Sequence, residues 1–277
     1  MKPVSNSPDQ ENTCNYLEFA VRLTGYSRDM LGKSVNSELK INVKRDYSLV
    51  TELDLKIEKL FREKISQTFP GHGIIGEEYP DYQPESDFKW IIDPIDGTQE
   101  FINQLPFFGT MIALLYKDEP IVGVIDHAML DICCFAGKGL GAYVGNKKIE
   151  LPENQTGAQA VVLPARADFQ RNNNEDLLFH QLTCHFGNYR VFRCCYGHTT
   201  TLLGQTRLTL EHRVHIWDIA ASQILIEEAG GKYSTLQTFT TNTDRKLYSV
   251  IFGSKSDVYR TSQIFQPLFD ACDLTCQ

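Results

Sequence analysis

The sequence predicts mixed α and β structure in two halves: an α+β half over residues 1–155 built on a largely antiparallel sheet, and an α/β half over residues 156–277. Three observations predict it. The 277 residues correspond to about two domains at ~150 residues each. Two amphipathic helical stretches precede five short apolar runs, each bounded by Gly, Pro, Asp or a charged residue. After the polar, turn-rich stretch Leu151–Gly157, read as a linker, strand-like and helix-like segments alternate.

Residues 1–12 carry no periodicity and read as a loose leader. Tyr16, Leu17, Ala20, Val21 and Leu23 recur at helical spacing, predicting a helix to about Leu31. Thr51-Glu52-Leu53-Asp54 is a capping box, and Ile57, Leu60, Phe61, Ile65 and Phe69 mark one apolar face of the helix it opens, which ends at Pro70-Gly71. Strands are predicted at Gly73–Gly76, Phe88–Ile92, Gly109–Tyr116, Pro120–Asp126 and Ile132–Ala136. Pro94 removes a backbone donor and is read as stopping the second of these, with a helix opening at Thr98. The second half reads as strands at Ala160–Leu163, Tyr189–Phe192, Arg207–Leu210 and Leu247–Gly253, with helices at Asn173–Cys184 and Trp217–Ala229.

The 27 Lys and Arg against 35 Asp and Glu give a net charge of −8, which argues against a nucleic-acid scaffold, because phosphate binding by counterion release needs a basic face. No run reaches ~18 consecutive apolar residues and the start is polar, so neither a membrane partner nor an export signal is read, and a cytoplasmic location is expected. The eight cysteines include no CxxC pair, which disfavours a zinc ribbon or a redox dithiol. They read as reduced, mostly buried thiols, with Cys272 or Cys276 the candidates for an exposed one, and with Cys133-Cys134 and Cys194-Cys195 alternating across strand faces.

Chemistry concentrates where the apolar strand ending Trp90-Ile91-Ile92 runs into Asp93-Pro94-Ile95-Asp96-Gly97-Thr98. Upstream lie Asp54 and Gly76-Glu77-Glu78; downstream, Trp217-Asp218 opens a helix. Two unit charges ~5 Å apart at an effective dielectric of ~20 repel by about 3 kcal/mol, so such acids, if they converge, require cations. An all-oxygen ligand set selects hard ions such as Mg2+, which can activate water and hold phosphate. Each acid also has a duller reading: Asp54 and Asp218 as helix caps, Asp93 and Asp96 as turn formers, Glu77-Glu78 as a solvated turn. Spacing alone leaves both readings open. His198 and His215 are candidates for a pocket wall or for buried structural residues, and His180 and His185 read as surface.

Gly76-Glu77-Glu78, Trp90 through Thr98, and Trp217-Asp218 with Glu228-Ala229-Gly230-Gly231 resemble the inositol monophosphatase family of Mg2+-dependent, lithium-sensitive phosphatases, over roughly residues 40–235. The resemblance implies a layered αβαβα sandwich with the site between the halves and a homodimer. By matched position it makes Glu77, Asp93, the carbonyl of Ile95, Asp96 and Asp218 ligands of Mg2+, two or three ions per site, with Asp54 placing a weaker one. Thr98 with Glu77 would orient the attacking water, the amides of Gly97 and Thr98 would hold phosphate, and Glu211 would face the substrate. That substrate is a small phosphorylated polyol or amino alcohol. Lys44–Asp54, Gly109–Leu115 and Pro120–Asp126 look like the histidinol-phosphatase branch, with Glu211 and Asp126 as negative partners for a cationic substrate. Val214–Asp218 looks like inositol-specific members, Tyr196–Thr201 departs from the apolar run of the histidinol branch, and Leu49 stands where that branch has Pro. Histidinol phosphate therefore leads narrowly over inositol 1-phosphate, ahead of a 3′(2′),5′-bisphosphate nucleotide or a catalytically silent, metal-binding relative.

Overall fold

A computed structural model of the chain describes residues 8–34, 41–43, 49–153, 159–169, 172–240 and 245–273. Residues 1–7 of the leader, 44–48 of the histidinol-like segment, 154–157 of the linker, and Cys276 lie outside the described residues.

Helix α1 (Gln10–Ser34) starts inside the stretch read as a leader, because the Asp9 carboxylate accepts the Asn12 amide at 2.9 Å and so caps the first turn. Strands β1 (Ile41–Val43) and β2 (Leu49–Thr51) form an antiparallel pair leading into α2 (Glu52–Thr68). The predicted capping box is present: Thr51 accepts the Leu53 and Asp54 amides, and the Asp54 carboxylate accepts the Thr51 amide at 2.8 Å. Then come β3 (Gly73–Gly76), β4 (Phe88–Asp96), α3 (Thr98–Ile102), β5 (Gly109–Tyr116), β6 (Glu119–His127), β7 (Ile132–Gly137), β8 (Gly141–Val144) and β9 (Lys147–Ile149). β3 to β9 form one seven-stranded sheet in sequence order, antiparallel except for the parallel pair β3 and β4.

The rest supplies β10 (Val161–Val162), α4 (Asn173–Phe186), β11 (Tyr189–Arg190), α5 (Tyr196–Leu202), β12 (Leu208–Val214), α6 (Ile216–Glu228), β13 (Lys232–Thr240), β14 (Lys246–Gly253) and α7 (Lys255–Asp273). Its sheet runs β11-β10-β12-β14-β13.

Strand alternation sorts the apolar residues into three cores and thereby sets the layers. Trp90, Ile92, Ile112 and Leu114 pack against α1 and α2 through Phe19, Ile57 and Phe61. Their neighbours Ile91, Met111 and Ala113 face the other way, onto α6, which also receives Val250 and Phe252 from β14. Ile251 points outward from the second sheet to α4 and α7, where Leu178, Leu182, Phe265 and Phe269 bury it. The result is helix, sheet, helix, sheet, helix, the layered sandwich expected. Because α6 is apolar around its whole circumference, it belongs between two sheets rather than on a surface.

Three expectations need correction. Pro94 does not end its strand: β4 continues to Asp96, and a register shift between Asp93 and Asp96 absorbs the missing donor as a bulge. Cys194 and Cys195 are not on a strand; they enter α5 and are both buried, unlike Cys133 and Cys134, which do alternate on β7. Cys272 is fully buried against α7's own core, while Cys14 and Cys184 are the exposed thiols among the described residues. No helix among the described residues is long and apolar enough to cross a membrane.

Candidate active site

The register of the parallel pair explains how the first two acids meet. Gly76 lies opposite Ile92, so Glu77, the next residue, leaves the sheet beside Asp93, which is still paired with Met111, and the Glu77 amide donates to the Ile92 carbonyl at 3.2 Å. The β4 bulge then turns Asp96 back toward Asp93. From the middle layer, α6 contributes Asp218 in its first turn, where the carboxylate accepts the His215 amide at 2.7 Å. Asp93, Asp96 and Asp218 each offer an oxygen within 4.8 Å of the others. Asp54, fully buried, sits beneath: Thr98 Oγ1 lies 3.5 Å from its Oδ1 and 3.1 Å from the Ile95 carbonyl oxygen.

Burial first, and mutual repulsion second, push these carboxyls up. Asp93 is held well above the ordinary carboxylate range by burial and by the charges of Glu77, Asp96, Asp218 and Asp54. Asp218 is raised likewise, by burial, then Asp96 and Glu77. Asp96 is pushed to about 6 by burial, against the help of His198 and of the Cys195 amide, which donates to its Oδ2. Asp54 also reaches about 6, chiefly from burial. Asp93 Oδ1 is buried without a hydrogen-bond partner among the described residues. A hard divalent cation is the group that this donor set fits, since it satisfies the orphaned oxygen and neutralises charges that otherwise repel by about 3 kcal/mol per pair.

The acids open into a cleft of about 660 Å³ whose walls include Glu77, Asp96, Asp218, His198, Glu211, His215, Arg193 and Arg245. Glu211 and His198, predicted separately, are in fact a pair. A carboxylate only accepts, so His198 Nε2 donates to Glu211 Oε1 at 3.1 Å, and Nδ1 is hydrogen-bonded to the Ser222 hydroxyl at 2.8 Å. His215 lines the cleft while stacking on Trp217, 4.3 Å between ring centres, and His180 and His185 are exposed as expected. Asp126 is a correction. It is 1% exposed, gripped by Arg28 Nε at 2.8 Å to each oxygen, and lies outside the cleft wall, so it has no charge to offer a substrate.

Sequence reasoning missed Arg213. It adopts φ +59° inside a bulge of β12 between Glu211 and Val214, and its guanidinium bonds the buried Glu175 of α4 at 2.6 and 2.8 Å while lying 3.7 Å over the Phe239 ring. That anchor offsets the left-handed strain and sets where Glu211 leaves the strand. No local signal announces it, because the partner is 38 residues away.

Gly97 is required by its turn. Its φ is +88°, and a Cβ there would sit 2.8 Å from that of Cys194. Gly97→Ala is expected to cost about 1–3 kcal/mol and to lower activity, since Asp96 and Thr98 flank the turn. Thermal unfolding and phosphate release check it; an unchanged melting temperature would mean that the turn relaxes freely.

Comparison with known proteins settles the family. The inositol monophosphatase family profile matches residues 14–259. The chain belongs to the inositol monophosphatase family. It is 32% identical over 225 residues to a histidinol-phosphatase of Chlorobaculum parvum, covering 81% of this chain and 85% of that one. It is 29% identical over 233 residues to a fructose-1,6-bisphosphatase/inositol-1-monophosphatase of Aquifex aeolicus, covering 81% and 87%. Among solved structures, the extragenic suppressor protein suhB from Bartonella henselae superposes with a TM-score of 0.78 at 21% identity, over 92% of this chain and 98% of that one, a likeness of fold. Inositol monophosphatase family membership makes this chain a phosphoric monoester hydrolase, and the family is metal-dependent, in keeping with the acid cluster.

Proposed function

We propose that the cleft holds two or three Mg2+ ions and hydrolyses the phosphate monoester of a small amino alcohol, histidinol phosphate. The observation that carries the reading is the convergence of Asp93, Asp96 and Asp218 with an unpartnered buried oxygen on Asp93. Glu77, Asp93, the Ile95 carbonyl, Asp96 and Asp218 would hold the metal, with Asp54 beneath it. Bound there, Mg2+ would lend positive charge to the phosphate and lower the pKa of water.

The chain's own groups have separable tasks. Thr98 Oγ1 has one proton, which it gives to the Ile95 carbonyl or to Asp54, so its lone pairs face outward to accept from a water and orient it. Glu77 is near enough to Asp93 and Asp54 to raise both, and would take a proton from the same water. The Gly97 and Thr98 amides would hold phosphate oxygens. Glu211, oriented by its hydrogen bond from His198, would receive the substrate ammonium.

The relative named a histidinol-phosphatase supports this choice. One observation favours inositol 1-phosphate instead: Glu211 already carries a hydrogen bond from His198, and a hydroxyl asks less of it than an ammonium does. Phosphate release from L-histidinol phosphate and inositol 1-phosphate, side by side with Mg2+ and with chelator, separates the two. We expect at least a tenfold kcat/KM preference for histidinol phosphate, and a roughly 10–100-fold KM increase in Glu211→Gln with kcat little changed, as for loss of a charged hydrogen bond of about 1.5–3 kcal/mol. Preference for inositol 1-phosphate would replace the substrate and keep the reaction. A cytoplasmic, lithium-inhibited homodimer completes the reading; sedimentation and Li+ titration test its last two parts.

A further inference from the structure

Glu58 takes no part in the site as described, yet it is a fully buried carboxylate on α2, one turn after Asp54. Its Oε2 accepts the Glu78 amide at 2.8 Å, and its Oε1 accepts Arg62 Nε at 2.7 Å and the Tyr79 amide at 3.3 Å. Arg62 closes the loop from the other side, donating to the Pro80 carbonyl at 3.0 Å and the Tyr79 carbonyl at 3.2 Å. At the start of the same loop a Cβ on Gly76 would overlap Glu58 Oε1, so the backbone can approach the carboxylate only as glycine. Gly76 and Glu78 flank Glu77, which leaves the strand beside Asp93.

We propose that Glu58 and Arg62 form a clamp that positions Glu77 for divalent metal, making Glu58 a positioning residue of the active site. The proposal rests on Glu77 being a metal ligand, as read above. Its logic is one of acceptors. All three partners of Glu58 are donors, and only a carboxylate accepts from every one; an amide in either orientation would set its own NH2 against an N–H. The loop that carries Glu77 has thus been fixed by charge-assisted bonds from a rigid helix, the arrangement by which supporting groups tune metal sites, commonly worth 10–100-fold in affinity.

The test is the Mg2+ concentration at which the melting temperature of the full chain is half-raised, with Mg2+ as the only added ligand, for the wild type, Glu58→Gln, Arg62→Lys and Glu77→Gln. We expect the midpoint to rise at least tenfold in Glu58→Gln and about three- to tenfold in Arg62→Lys, which keeps the charge and loses the fork. If Glu58→Gln does not fold, Arg62→Lys alone decides. Midpoints within twofold of wild type in the clamp variants, with Glu77→Gln raising it, would overturn the clamp and leave Glu77 a ligand. An unchanged midpoint in Glu77→Gln would overturn the reading of Glu77 itself, and the clamp with it.

Discussion

Asp93→Asn is expected to lower phosphate release at saturating Mg2+ by about a thousandfold while making the metal-free protein more stable. The activity loss follows if this carboxylate helps to hold the cation, since charge stabilisation at such a centre is worth several kcal/mol, and ~4 kcal/mol is about 10³ in rate. The stability gain has a different source. Asp93 is 2% exposed, and its charge opposes Glu77, Asp96, Asp218 and Asp54 at once. Asparagine keeps the shape, removes the charge, and can donate to a neighbouring carboxylate. Relief of one or two close repulsions gives about 1–3 kcal/mol after screening, a trade of stability for function confined to the site. Thermal unfolding in chelator at pH 7.5, beside phosphate release in Mg2+, reads both effects. A variant that is less stable without metal, or as active as wild type, would contradict the account.

The second large effect is on pH. Asp54 and Asp96 hold their protons to about 6 in the folded protein, and burial and mutual repulsion raise Asp93 and Asp218 well above the ordinary carboxylate range, whereas unfolded carboxyls release near 3.8. The folded state therefore binds more protons than the unfolded one across this range, and the carboxyls make stability fall as pH rises. His72, His127 and His212 act oppositely. Burial lowers each below its ordinary 6.5, so the unfolded chain takes up protons that they refuse, and their contribution grows up to about 6.5 and is flat above. Between pH 6.5 and about 7.5 the carboxylates set the slope; above that the buried thiols Cys133, Cys134, Cys194 and Cys195, pushed up by burial, add to the fall. Metal-free protein should lose melting temperature from pH 6.5 to 7.5, and Mg2+ should abolish that fall and stabilise more at pH 7.5 than at pH 5, where protons compete for the ligands. A metal-free melting temperature that climbs above pH 6.5, or an equal Mg2+ effect at both pH values, would count against the cluster.

Much of this was legible in the chain because it is local. The Thr51 to Asp54 capping box, the apolar run at Trp90–Ile92 and the acids following it are each read within about ten residues, and the structure builds them as read apart from the bulge at Pro94. Strand β13 escaped notice although Tyr233, Leu236 and Phe239 are buried, because a bulge between Thr235 and Gln237 breaks the two-residue period that marks a strand. Asp126 was misassigned for another reason: its partner Arg28 lies 98 residues earlier on α1, and nothing near Asp126 reveals that its charge is already taken. The pairing of His198 with Glu211 is hidden in the same way, since it exists only where α5 packs on β12. Residue types that carry chemistry are visible one at a time; which of them are spent on each other is decided by tertiary packing.

The most direct test of the central claim, that the convergent acids are a divalent metal centre, is anomalous diffraction from crystals soaked in Mn2+ as a stand-in for Mg2+. The account predicts at least one strong peak about 2.0–2.3 Å from oxygens of Asp93, Asp96 and Asp218, lost in Asp93→Asn. Strong peaks elsewhere on the molecule, with none between those three carboxylates, would contradict it.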